Sequence, residues 1–149
     1  MNNLYPPWWD KTITIYNKRV DPDTRQTSWT RQTVKNCFWK YVNYLTFLSG
    51  TSISLDTKDV ICRIPMDKRY VENYVFNELA DVSNRFTLNT GDIIVLGEVT
   101  DEIDDYVKGQ RASDLIAKYK KLQGCIEIES FTIDTGISRC CEHYLVKGA

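Results

Sequence analysis

The chain has 149 residues, with 19 lysines and arginines against 20 aspartates and glutamates and a formal net charge of −1. That length suits one domain with a core of its own, and 42% hydrophobic with 26% charged residues argues against global disorder. The near-balanced charge supplies no long-range field for gripping a nucleic-acid backbone, and the apolar runs, such as Ile93 to Leu96, fall far short of the roughly 18–20 residues that span a bilayer.

The chain opens on Leu4-Tyr5-Pro6-Pro7-Trp8-Trp9. Two prolines fix φ and remove successive donors, so neither strand nor helix fits, and the basic start and apolar stretch of a secretory signal are not found there. Residues 1–10 are expected as an extended N-terminal arm ahead of a single β-rich domain over 11–149. Lys11 to Asn17 alternates and is rich in β-branched residues, which predicts a strand. Val20 to Thr24 reads as a turn, Thr27 to Val34 as the return strand, and the aromatic-dense run Asn36 to Val42 as a third, central strand. Gly50 interrupts the chain, and short strands follow over Thr51–Leu55 and Asp59–Ile64, the second stopped by Pro65. Tyr70, Val71, Tyr74, Val75 and Leu79 have roughly helical spacing, but the β-branched and aromatic content is high, so Asp67 to Ser83 is read as an irregular excursion.

Thr90-Gly91-Asp92 signals a turn before the strand Ile93 to Val99. One helix follows, with Ser113 as N-cap, Asp114 on the helix dipole and Leu115, Ile116, Tyr119 and Leu122 as its apolar stripe. Lys118, Lys120 and Lys121 load its C-terminal end and Gly124 stops it. Cys125 to Ile133 and His143 to Val146 return to β. With no repeat, low-complexity tract or Gly/Ser linker, the pattern predicts a mainly β fold, a small β-barrel or sandwich of about seven or eight short strands with one packed α-helix. Closure would protect the strand edges.

The residue types that carry chemistry do not assemble into a known pattern. The cysteines at 37, 62, 125, 140 and 141 are odd in number and irregularly spaced, which reads as reduced thiols in a reducing compartment. His143, the single histidine, lies beside Cys140 and Cys141, but zinc needs about four tetrahedral ligands and no CxxC pair is present. Neighbouring cysteines on a strand would also point to opposite faces. Neither a Cys–His nor a Ser–His nucleophile stands in a recognisable elbow. Asp101, Glu102, Asp104 and Asp105 form an acidic cluster without the ligand order of a calcium loop, so a solvated loop or a contact patch for a basic partner is favoured. No phosphate-cradling glycine motif occurs, and no carboxylate pair singles itself out. The expectation is a non-enzymatic protein with no catalytic residue, metal or cofactor.

The aromatics are the informative feature. Trp8 and Trp9 are adjacent, so at most one face of the pair can point into the chain's own core. Either they fold back and plug the barrel, or Tyr5, Pro6, Pro7, Trp8 and Trp9 form a stiffened anchor for a pocket on a neighbouring subunit. Trp29, Phe38, Trp39 and Tyr41 read as core and barrel wall. Interleaved with Lys35 and Lys40, Trp39 and Tyr41 could instead stack on single-stranded nucleic acid, against which the neutral net charge weighs.

The run from Leu4 to Lys18 resembles the opening of a family of small phage and prophage proteins of Gram-positive bacteria. Further matching blocks are Asn36-Cys37-Phe38-Trp39-Lys40, Ile61 to Pro65, Gly91 to Val95, Asp114 to Lys120 with Leu122-Gln123-Gly124, and Glu142 to Gly148, so the likeness runs along nearly the whole chain. That family is similar in organisation to the stopper, or head-closure, proteins of the head-to-tail joint. Those open with a strand like Asp10 to Lys18, continue with a Trp-bearing return strand and carry a later Gly-Asp-apolar strand. The resemblance implies a β-barrel forming a homo-oligomeric ring in the virion neck, made in the host cytoplasm. Its partners would be the adaptor or portal proteins and the tail or tail-terminator proteins, with phage DNA passing unbound and no membrane involved. Residues 5–9 would supply inter-subunit contacts, and Asp101 to Asp105 or the polar stretch Asn43 to Lys58 a loop facing the channel. The chain is longer than the compact stoppers, Asp67 to Ser83 and the helix being additions, so a tail-terminator or minor capsid role is the alternative. A single-stranded nucleic-acid-binding barrel is the alternative of another class.

Overall fold

The computed structural model describes residues 5–47, 54–135 and 142–149, with 43–47 and 54–58 as backbone. Among the described residues there are six strands and two helices: β1 (Lys11–Val20), β2 (Thr27–Phe47), β3 (Ser54–Pro65), α1 (Asn73–Glu78), β4 (Ile93–Leu96), α2 (Ala112–Leu122), β5 (Cys125–Asp134) and β6 (His143–Gly148). The strands close into a barrel in the order β1-β2-β3-β6-β5-β4, with β4 pairing back onto β1. Every pairing is antiparallel. The mainly β barrel with a packed helix is what the sequence pattern predicts, with fewer and longer strands.

Alternation explains which side each residue serves. Ile13 and Ile15 of β1, Ile94 of β4, Ile126 and Ile128 of β5 and Val146 of β6 fill the interior. The intervening Tyr16, Ile93, Val95 and Cys125 lie on the outer face, buried under Leu115 and Tyr119 of α2 and under Val99 and Ile103 of the loop before it. The run Ile93-Ile94-Val95-Leu96 is apolar throughout because β4 is covered on both faces. At roughly 1.5–3 kcal/mol for each large side chain fully buried, these two layers supply the main stabilisation.

The two predicted strands Thr27–Val34 and Asn36–Val42 are one strand, β2. Asn36 stands at φ 61, a left-handed conformation that asparagine tolerates better than most residues, and the facing register shifts between Lys11 and Ile13. This β-bulge resets the alternation, so that Val34 and Cys37, three apart, both point inward. At that bend β2 leaves β1 at Cys37 and takes β3 as partner from Phe38 onward. The predicted pieces at Thr51–Leu55 and Asp59–Ile64 are likewise one strand from Ser54, with 51–53 outside the described residues.

The excursion after β3 is more ordered than expected. It contains α1, buries Phe76, and returns Phe86 and Leu88 into the barrel core. Arg69 clamps it to β2: its guanidinium pairs with Asp67 at 2.8 Å, donates to Gln32 Oε1 and the Thr33 carbonyl, and lies over the Phe86 ring. In α2 the N-cap is Arg111, not Ser113, which is already helical; the Asp114 carboxylate accepts the Arg111 N–H at 3.3 Å. Leu115 and Tyr119 are the buried stripe, while Leu122 faces solvent. Gly124, at φ 124, closes the helix by donating its N–H to the Tyr119 carbonyl.

Candidate docking surfaces

The described part of the N-terminal arm lies against the barrel rather than extending from it. The Trp9 N–H donates to the Pro6 carbonyl at 3.0 Å, turning the chain over Pro7 and Trp8. Trp9 is 7% exposed. Its ring stacks on Tyr5 at 5.1 Å, lies 6.4 Å from Phe38 and meets His143 edge-on at 5.3 Å. The Tyr5 hydroxyl donates to the Glu142 carbonyl and accepts the Met66 N–H. Phe38 and Arg63 are cross-strand partners next to the inward-facing Cys37, Cys62 and Ile64, so the segment straps the outside of β2, β3 and β6. Of the five residues predicted to reach a neighbour, Tyr5 and Trp9 are engaged inside this chain, Pro6 is half-buried, and Pro7 and Trp8 face solvent. Trp8 is 65% exposed.

His143 sits beneath this strap. Its Nε2 is 2.7 Å from Arg63 Nη1 and 3.7 Å from Asp134 Oδ2. A guanidinium only donates, so that nitrogen is the acceptor and faces a cation, a poor position from which to hold a metal. Cys140 and Cys141, which neighbour it in sequence and were weighed with it against a zinc site, lie outside the described residues. Among the described residues no group of three or more His, Cys, Asp or Glu side chains is placed to share a metal ion.

The second surface is the β2–β3 hairpin. β1 accompanies β2 only to Cys37, and β6 accompanies β3 only to Val60. The pairs from Val42↔Asp59 to Phe47↔Ser54 therefore run past the barrel as a ribbon of roughly 20 Å, at about 3.3 Å per residue, with no third strand among the described residues. The stretch expected as a polar channel loop, Asn43 to Lys58, is thus strand at both ends, with 48–53 outside the described residues. At the ribbon's base Tyr41 is 54% exposed, edge-on to Trp39 at 6.2 Å. Trp39 packs against the barrel core. One open ring beside a half-buried one does not make the stacking platform that a nucleic-acid strand needs.

The acidic cluster fastens the loop between β4 and α2. Asp101 accepts Lys118 Nζ at 2.8 Å, which holds its carboxyl below the usual range, and its carbonyl accepts the Tyr16 hydroxyl. Glu102 pairs with Arg31 at 2.7 Å, Asp104 accepts the Tyr106 N–H, and Asp105 accepts both the Trp29 indole N–H and the Ala112 N–H at the start of α2. All four predicted contact residues therefore hold their own loop in place, while Glu102 and Asp104 stay exposed.

One polar site escaped the sequence reading. Asp92 is buried in the turn that leads into β4, against the end of β1, where it accepts Asn17 Nδ2 at 2.8 Å and the Lys18 and Asn89 N–H groups at 3.1 Å. Asn17 in turn bonds both the N–H and the carbonyl of Thr87. Burial pushes the Asp92 carboxyl up to about 6 despite these donors. The signal was the Gly91-Asp92 pair before an apolar strand, together with an asparagine at the end of the alternating run of β1.

Residues 8–149 match the model of DUF6751, a family of unknown function, and the chain belongs to that family. No curated protein and no solved structure matches it.

Proposed function

We propose that this DUF6751 chain is a structural, non-enzymatic subunit of the head-to-tail joint of a tailed bacteriophage, of stopper or head-closure type, assembling as a ring between the portal–adaptor complex and the tail. The observation that carries the docking role is the ribbon. A two-stranded hairpin alone is marginal in water, and unpaired strand edges are templates for another chain. A barrel whose strands otherwise pair all round, yet which extends this hairpin beyond its rim, fits a part that neighbours complete. Trp8 adds an exposed aromatic on a turn stiffened by Pro6 and Pro7 and anchored through Tyr5 and Trp9, so little ordering cost attaches to its use as a contact. Rings need two different complementary surfaces on each subunit, and the ribbon and the Trp8 turn are two separate projections. The phage neck itself is supported by the matching sequence blocks, and a net charge of −1 suits a lumen through which DNA slides without being gripped.

Protein composition of purified particles tests the reading. The chain is expected in intact virions at several copies each. Its absence from purified particles would sink the proposal, and its location on the tail side of the joint would replace the stopper role by that of a terminator.

A further inference from the structure

We infer that the end of β1, with the groove beside it, receives the β2–β3 ribbon of a second copy as an added strand. Odd-numbered residues at this end of β1 bond toward β2, as Asp21 does just past the strand when its N–H meets the Gln26 carbonyl at 2.9 Å. Even-numbered residues turn their main-chain groups the other way. The Thr12 carbonyl accepts the Gly97 N–H, and the ladder with β4 then runs as far as Tyr16↔Ile93. The next group on that edge, the Lys18 N–H, is taken by Asp92 Oδ1 at 3.1 Å. Beyond it the Lys18 carbonyl and the N–H and carbonyl of Val20 face the same way and meet no partner among the described residues. Such an edge is a template for another strand.

A groove of about 560 Å³ runs along this edge. Across it stands α1, which Arg19 holds by donating to the Leu79 carbonyl at 2.8 Å and lying over the Phe76 ring. Asn73 and Asn77, one turn apart on α1, line the groove, and their side-chain amides bond to nothing among the described residues. Over Gly91 the space is open, with nothing within 4 Å of where a Cβ would stand. Val20, 53% exposed, adds an apolar contact. One wall thus offers unpaired main-chain groups and the other offers amides that both donate and accept, which is the chemistry that holds an extended main chain. The ribbon is such a chain, and its own barrel cannot use it here. Lys11 pairs with Cys37 and Val20 with Thr27, while the ribbon continues β2 past Cys37, so groove and ribbon lie at opposite ends of the barrel. Joining them links two copies head to tail, a contact that repeats into rings or filaments. The inference rests on the proposed function only for self-assembly, not for the phage setting.

The test combines sedimentation with NMR-detected amide exchange of the full chain at concentrations up to about 1 mM, the weak limit of specific association. The natural chain is expected to associate, and the Val20 amide, which exchanges freely in the single copy, to become protected as it does so. Val20→Pro removes that donor without breaking a hydrogen bond inside the chain. A second variant, Asn73→Ala with Asn77→Ala, leaves β1 untouched and should weaken association about tenfold or more. A third has its ribbon cut back to the pair Val42↔Asp59 and closed by an Asn-Gly turn, so that only its groove remains. Val20→Pro and the shortened chain should each stay monomeric alone. Mixed, they should form a dimer and nothing larger, because the ribbon of one meets the groove of the other. The amide spectrum of Val20→Pro checks its fold; if that is lost, the double alanine variant takes its place in the mixture. A natural chain that stays monomeric, a Val20 amide left unprotected on association, a shortened chain that still associates with itself, or a mixture of folded variants without dimer would each overturn the inference. None of these results bears on whether the chain is found in virions.

Discussion

Replacing Asp92 by asparagine keeps the shape of a buried side chain and removes its titration. Burial holds the carboxyl at about 6 in the folded chain, against 3.8 for an ordinary aspartate. Between those values the folded state binds a proton that the unfolded state has released, so stability falls as pH rises. The sign is that of a raised carboxyl: its contribution is fully present below about pH 4 and is lost by about pH 6. A difference of about two pH units at 1.36 kcal/mol each gives on the order of 3 kcal/mol lost across that window. Asp21, Asp67, Asp81 and Asp101, whose carboxyls are held low, pull the other way at more acid pH. The informative quantity is therefore the stability of the natural chain minus that of Asp92→Asn, from urea unfolding at half-unit pH steps. Asparagine turns an NH2 toward donors and loses hydrogen bonds, but that offset does not depend on pH. The difference should decline by about 3 kcal/mol between about pH 4 and about pH 6. A difference that stays flat, or an Asp92 carboxyl carbon signal that titrates near 3.8, would refute the account of this buried site.

Four further outcomes are expected. Trp9→Ala should cost about 3 kcal/mol in chemical denaturation, since it empties a buried aromatic site. Trp8→Ala should leave stability within about 0.5 kcal/mol while weakening self-association measured by light scattering. Gly124→Ala should lower stability by about 1–2 kcal/mol, chiefly through the left-handed backbone at φ 124. The Tyr41 hydroxyl, 2.6 Å from the added Cβ, is the end of a side chain that swings aside, so a Tyr41→Phe background should rescue little. The thiols of Cys62 and Cys125, pushed by burial to about 12, should resist alkylation near pH 8 in the folded chain and react on unfolding, as mass spectrometry reads directly.

Local pattern made much of the fold legible, and long-range geometry did not. β1 was readable because alternation and β-branching coincide over Lys11 to Asn17, and β5 for the same reason over Cys125 to Ile133. Two covered faces made β4 readable as a continuous apolar run. β2 appeared as two strands because the left-handed Asn36 shifts the phase of inward-facing residues, and nothing local says that pairing resumes with a new partner. Ser113 looked like the cap because its hydroxyl suits one, yet the helix starts a residue earlier, where Asp114 reaches back to Arg111. At the candidate surfaces, the adjacency of Trp8 and Trp9 correctly implied that one could face inward. Which one, and against what, depends on His143 and Glu142 at the other end of the chain. The acidic cluster read as exposed because its partners, Arg31, Trp29 and Lys118, come from other elements.

The proposed role makes the barrel one of several identical parts at the joint between head and tail. Electron cryo-microscopy of intact particles tests it most directly. The expected result is this fold repeated around the channel axis between portal–adaptor complex and tail, with the β2–β3 ribbon paired against an adjacent subunit. A neck whose density accommodates no copy of the barrel, or copies whose ribbons touch no neighbour, would contradict it.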